Sequence, residues 1–182
     1  FRERVIIIGN RMGKDIPPMK PSHANPKTRS DLQPYRTVGE ALRFLPRSDA
    51  KSNLNAHSGR KHSTRIMERY ENLAYGERDP KTRINKLNPK APSFAIIVGS
   101  NHGGGKGHVH PHEAREVFPR ESARMQTFPD WWEFDGSGRH LIRQVGNAVP
   151  VLFGALLGAH VLKYVFEQPN VLSYRKAIDQ LG

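Results

Sequence analysis

The sequence contains no cysteine. Disulfides, thiolate zinc sites and cysteine nucleophiles are therefore excluded within these residues. Acidic residues are in short supply: 17 Asp and Glu stand against 29 Lys and Arg, a formal charge of +12. That balance suits a polyanionic partner such as nucleic acid, although charge alone also fits a basic protein that binds nothing specific. Long apolar runs are scarce as well. The one that approaches a bilayer span begins at Val151, and His160 and Lys163 interrupt it, so a membrane helix is not expected. The chain opens on Phe1 with no basic and apolar leader, so a signal peptide is not expected and further sequence upstream is. There is no internal repeat, and 182 residues suffice for one domain or a domain and a half.

Val5-Ile-Ile-Ile-Gly9 is a short β-branched run, the pattern of a strand buried on both faces of a parallel sheet. Residues 10–35, rich in Pro, Lys, Ser and Asn, read as an irregular excursion, so the rest of that sheet is expected upstream. Thr37-Val-Gly-Glu40 has capping-box spacing and predicts a short helix ending at Pro46. Ile66, Tyr70 and Leu73 recur at helical spacing and predict a helix over residues 63–74 with its Arg-rich face outward. Residues 94–98 predict a second apolar strand. It leads into Gly99-Ser-Asn-His-Gly-Gly-Gly-Lys-Gly107, a loop flexible by composition. Pro119 is placed to start a helix running to Gln126, closed by an aromatic turn over residues 128–134. Pro150 is placed to start another, from Val151 to about Phe166, with Gly154, Ala155, Gly158 and Ala159 on a side open to close approach.

The glycine loop does not fit a P-loop, because Ser100 and Gly107 stand where that motif needs glycine and a hydroxyl residue. Its amides with Lys106 suit DNA phosphates or base edges, and equally a mobile surface loop. His102, His108, His110 and His112 lie close together, and in an extended segment the last three would point one way. Without cysteine or a helical histidine pair, phosphate contacts or turn and cap duties are the better reading, and no metal site is expected. Arg2 and Arg4 share one side of the strand start, where their guanidinium groups can converge on one acceptor or be solvated.

Taken together, these segments resemble the second half of the DNA cytosine-5 methyltransferases of the bacterial restriction-modification type. Arg2-Glu-Arg4-Val-Ile-Ile-Ile-Gly9 resembles the family's paired-arginine motif, without its preceding Pro-Gln. Pro92-Ser93, Ala95-Ile-Ile and the Gly103, Gly104 and Gly105 loop resemble the last recognition segment of the target recognition domain. His110-Pro111 and residues 115–130, with Arg120-Glu-Ser-Ala-Arg-Met-Gln-Thr-Phe-Pro-Asp130, resemble the motif closing that domain. Gln144-Val-Gly-Asn-Ala-Val149 resembles the final motif, which returns to the catalytic domain, and Tyr35-Arg-Thr-Val-Gly-Glu-Ala-Leu42 has the look of variable-region segments. The motifs run in the family's order along most of the chain. Two departures stand out: Ala95, where threonine is usual, removes a hydroxyl contact to DNA, and Phe118, also in place of threonine, removes a helix N-cap.

The resemblance implies an α/β protein. The last strand and terminal helix of an S-adenosylmethionine-dependent, Rossmann-like domain would lie in residues 1–12 and 144–182, and a small, irregular target recognition domain in residues 13–143. It implies cytosine-5 methylation of a flipped base in a specific double-stranded DNA sequence, with S-adenosylmethionine as cofactor and no metal. Arg4 would contact the flipped base near O2, with Arg2 supporting. Asn147, Ala148 and Val149 would line the cofactor pocket. Ser93, Ser100, His102, the three glycines and Lys106 would meet DNA, and Arg120, Glu121, Arg124 and Gln126 would be architectural. The nucleophilic cysteine and most of the cofactor loop would belong to an N-terminal catalytic half, in the same or another chain, and this piece alone would be inactive. The setting implied is cytoplasmic and nucleoid-associated, for a bacterial or phage-encoded protein, with no membrane. A stand-alone DNA-binding module is the competing function. An unrelated RNA-binding protein is weaker, since aromatic stacking motifs are lacking.

Overall fold

The computed structural model describes residues 4–96 and 106–168, with 176, 177 and 179. In chain order its elements are β1 (His23–Ala24), β2 (Gln33–Pro34), α1 (Val38–Ala41), α2 (Thr64–Glu71), α3 (Pro119–Met125), α4 (Gly138–Asn147) and α5 (Val151–Tyr164). The chain divides into two compact units. Residues 36–148 make one, and residues 2–35 with 149–182 make the other.

In the unit of residues 36–148, three small apolar clusters stand where one large core would be expected. Ile96 and Ala123 meet Phe134, Leu141, Ile142 and Val145 where α3 and α4 pack. Tyr70 and Leu73 of the α2 region meet Ile84 and Val109. Val38 of α1 meets Leu87 and Val117. The capping box is present: Thr37 N–H donates to Glu40 Oε2 at 2.7 Å and Glu40 N–H to Thr37 Oγ1 at 3.2 Å. The helix it starts is shorter than predicted and ends at Ala41, because the chain turns through Phe44 at φ 64°. The orphan amides of Val38 and Gly39 donate to Ala91 and Pro89 carbonyls, both at 2.9 Å. A Cβ on Gly39 would lie 2.8 Å from the Pro89 oxygen, so that approach requires glycine.

Two elements differ from expectation. Residues 94–96 form no strand, and residues 97 and 98 lie outside the described residues. The return motif is helical up to Asn147, within a helix that the sequence did not predict. Leu141, Ile142 and Val145 are buried at helical spacing.

In the other unit, residues 5–8 form no strand and have no ladder partner among the described residues, and Val5 and Ile7 are each 90% exposed where burial on both faces was expected. A strand is stable only when its N–H and C=O groups are paired, and the two-residue parallel pair β1 and β2 lies elsewhere in this unit. Asn10 organises the next turn, its Oδ1 accepting from the amides of Met12 and Lys14, both at 3.0 Å. His160, the interruption in the apolar run, donates from Nε2 to the Pro17 carbonyl at 2.7 Å. The stretch Gly138–Tyr164 is apolar and long enough in total to cross a bilayer. Extended backbone at Ala148 and Pro150 divides it, and the 14 residues of α5 rise only about 21 Å, short of the ~30 Å hydrocarbon core. Gly158 on the small-residue side of α5 has nothing within 4 Å of where a Cβ would stand.

Candidate functional site

The region that carries the candidate motifs is built around the start of α3. Glu121, 1% exposed, accepts from the Phe118 amide at 2.6 Å and from both terminal nitrogens of Arg115, at 2.8 and 2.7 Å. Burial opposes the Arg115 charge, but its hydrogen bonds to Glu121 and Glu113 outweigh that and raise its pKa. Glu113 shows the same balance, with burial overcome by Arg115 and Ser48, and its carboxyl is held at about 2. Because Phe118 has no side-chain acceptor, only the glutamate half of a capping box exists here. The ring that replaces the hydroxyl has another role: the Arg115 guanidinium lies 3.9 Å from its centroid, and His57 meets its edge at 5.1 Å. His57 and His110 approach Glu121 at 3.9 and 3.7 Å. Burial lowers the pKa of both, His110 to about 4, so at neutral pH neither contact is an ion pair.

Arg120, with 0% exposure, has no carboxylate partner among the described residues. Its fork reaches Asn55 O at 2.9 Å, Pro129 O at 3.0 Å, Asn55 Oδ1 at 3.2 Å and the Trp132 carbonyl. Asn55 in turn donates to Phe134 O at 3.1 Å and accepts from Phe134 N–H at 2.8 Å. Arg120 and Asn55 thus sew the loop before α2 to the aromatic turn after α3. Arg124 fixes that turn from its other side, donating from Nε to Asp130 at 2.8 Å, and from Nη1 to the Arg43 carbonyl at 2.6 Å. Gln126 donates from Nε2 to Val145 O at 3.1 Å and to Ala148 O at 3.4 Å, closing the C-terminal end of α4. The four residues expected to be architectural all bond to backbone or charge within this one unit. Asn55, His57 and Arg69 escaped the sequence reading, because no spacing distinguishes them from the surrounding basic and polar surface.

The end of α4 presents Asn147 to solvent, and Ala148 is its extended C-cap. Val149, the following residue, is 59% exposed. Asn147 has no side-chain hydrogen bond among the described residues. Ser93 is exposed and bonds only its neighbour's carbonyl, Phe94 O, at 2.9 Å. Lys106 reaches Thr82 O at 3.2 Å. Ser100, His102, Gly103, Gly104 and Gly105 lie outside the described residues, as does Arg2; Arg4 is described and exposed. His108, His110 and His112 do not share a face, since the first two are buried and the third is exposed. The cap reading holds for His110, whose Nδ1 accepts from the amides of His112 and Glu113 at 3.2 and 3.1 Å. His108 donates from Nε2 to Ala95 O at 3.1 Å. Among the described residues no group of three or more His, Asp or Glu is placed to hold a metal ion.

The profile of the C-5 cytosine-specific DNA methylases covers residues 1–163, and the chain belongs to that family. It is 34% identical over 163 residues to the type II methyltransferase M.NgoFVII of Neisseria gonorrhoeae, covering 82% of this chain and 42% of that protein. It is also 34% identical to the type II methyltransferase M.BbvI of Brevibacillus brevis, over 94% of this chain and 48% of the relative. Among solved structures, a prophage-encoded E. coli protein described as a DNA modification methyltransferase aligns with a TM-score of 0.57 and 25% identity. That alignment covers 75% of this chain and 47% of the other. The chain spans less than half the length of these relatives.

Proposed function

We propose that this chain is the C-terminal part of a DNA cytosine-5 methyltransferase, supplying target recognition and completing the active site and cofactor pocket. It would act with an N-terminal catalytic half on double-stranded DNA in the bacterial cytoplasm. The observation that carries the reading is the Gln126 clasp, which joins the motif closing the recognition region to the Val145 and Ala148 carbonyls on either side of Asn147. A DNA-reading region tied rigidly to a cofactor-lining edge is what sequence-specific methyl transfer requires. The exposed apolar side chains of Val5, Ile7, Val149 and Phe166 support a partner half that covers them, and count against a stand-alone DNA-binding module. The Rossmann-like assignment of the terminal pieces, and the division at residues 12 and 144, belong to the same proposal.

S-adenosylmethionine, when bound, supplies the methyl group. Asn147, Ala148 and Val149 would line its pocket, the Asn147 amide offering both a donor and an acceptor. Arg4 would donate from its guanidinium to O2 of the flipped cytosine, stabilising the negative charge that grows on the ring when a nucleophile adds. The nucleophile must come from the other half, because this chain has no cysteine. The +12 charge would supply phosphate affinity that falls steeply with salt. In the full-length enzyme, Arg4→Ala is expected to abolish methyl transfer while duplex binding, measured by fluorescence anisotropy, persists. Full activity in Arg4→Ala would remove the active-site part of the reading.

A further inference from the structure

Residues 76–86 form a hairpin whose tip is built with unusual care for a surface loop. Gly76 N–H donates to Lys86 O and Lys86 N–H to Glu77 O, both at 2.8 Å. Arg78 pairs with Asn85 in an antiparallel bridge. Asp79 N–H donates to Ile84 O at 2.8 Å, and Arg83 N–H to Asp79 O at 2.9 Å. Beneath the tip, the Asp79 carboxylate is fully buried. It accepts from the Thr82 amide and hydroxyl, both at 2.6 Å, and from Arg69 Nε of α2 at 2.7 Å. Burial would raise this carboxyl, but those hydrogen bonds outweigh it and hold it at about 2.

The Asp79 charge is therefore neutralised inside, Glu77 at the base of the hairpin accepts from the Ala74 amide at 2.8 Å, and the exposed cations of the hairpin are Arg78, Lys81 and Arg83. Lys106 joins them by donating to Thr82 O at 3.2 Å, which brings the residue following the glycine loop onto the hairpin. Among the described residues, none of these four cations has a carboxylate partner. Arg83 also sits at φ 63°, a left-handed conformation that a side chain with a Cβ adopts at a cost and that a hairpin normally assigns to glycine or asparagine. Backbone strain of this kind persists where surrounding bonds enforce it, and it clusters at functional positions.

We propose that Arg83 reads a base edge of the DNA target, held in place by the Asp79-centred hairpin, while Arg78, Lys81 and Lys106 contact flanking phosphates. This rests on the reading above that the chain binds duplex DNA. A two-stranded ribbon fits the major groove, and a guanidinium fork is suited to the paired acceptors of guanine there. Lysines contribute point charges without that geometry.

The test uses the full-length enzyme with S-adenosylmethionine and a duplex pool of randomised sequence, methylated sites being read by bisulfite sequencing. Arg83→Gly and Arg83→Lys are each expected to lose about tenfold of the discrimination at one base position. Arg83→Gly should melt no lower than wild type, because glycine relaxes the left-handed backbone. Lys81→Ala should weaken binding to all sequences alike and reduce the salt dependence by about one phosphate contact. If wild type methylates a defined site and both Arg83 variants retain the same preference, the assignment of Arg83 is overturned while the methyltransferase reading stands. If wild type neither binds nor methylates duplex DNA, both fall together.

Discussion

Gln126 Nε2 donates to the Val145 carbonyl at 3.1 Å, bridging the C-cap of α3 and the last turn of α4. The last carbonyls of a helix have no partners within it, and a side-chain amide serves here in place of a glycine cap. The second contact, to Ala148 O at 3.4 Å, lies immediately after Asn147. Gln126→Ala should therefore cost about 1–2 kcal/mol in urea denaturation. Gln126→Glu should cost more, because a carboxylate would face carbonyls at the negative end of α4. In the full-length enzyme both changes should raise the KM for S-adenosylmethionine more than the Kd for DNA. Unchanged stability in both variants would remove the clasp.

Gly59 and Phe118 are a matched pair. A Cβ on Gly59 would lie 2.6 Å from Cδ1 and 2.9 Å from Cε1 of the Phe118 ring. Gly59→Ala is expected to destabilise the protein by about 1–3 kcal/mol through overpacking. In a Phe118→Thr background the same change should cost little, so a double-mutant cycle measured by thermal unfolding should show strong coupling. Additive effects would contradict the contact.

Arg120 should be the least replaceable of the motif residues. Arg120→Ala strands the carbonyls of Asn55, Pro129 and Trp132 and opens a cavity, at an expected ~3 kcal/mol or more. Arg120→Lys should recover only a minor part, since one ammonium cannot serve donors spread across a planar fork. Chemical denaturation of the two variants and of wild type distinguishes these outcomes.

Stability should fall in two stages as pH drops. An unfolded histidine takes a proton near 6.5, whereas burial holds His110 neutral to about 4 and lowers His57 in the same direction. The unfolded state therefore binds more protons in that window, and stability declines from about pH 6.5 towards 4. Asp79 and Glu113, both held at about 2 against ordinary values of 3.8 and 4.5, add a second loss from about pH 4.5 down to 2. His110→Asn, which keeps an acceptor for the His112 and Glu113 amides, should flatten the first stage when Tm is followed against pH.

Local signals in the sequence survived folding well. The Thr37–Glu40 box, Pro119 at the head of α3 and the Ile66, Tyr70, Leu73 spacing all act within a few residues, where propensity and capping decide the outcome. What depended on distant partners did not follow the same pattern. Residues 5–8 have strand composition but no ladder to join among the described residues. The buried Leu141, Ile142 and Val145 of α4 have ordinary helical spacing, but they straddle the start of the Gln144–Val149 motif, so neither segment alone shows the helix. In the candidate site, Arg120, Glu121, Arg124 and Gln126 could be named from the sequence, yet their partners Asn55, Arg43 and Val145 could not. Those contacts are set by how loops cross, which no spacing records.

The most direct measurement of the central claim is reconstitution. This chain is mixed with a matching N-terminal half, and transfer of tritium-labelled methyl groups from S-adenosylmethionine into duplex DNA is counted. The account predicts incorporation with both parts present and none with either alone. Methylation by this chain alone, or no methylation by the pair while this chain still binds a specific duplex, would contradict it.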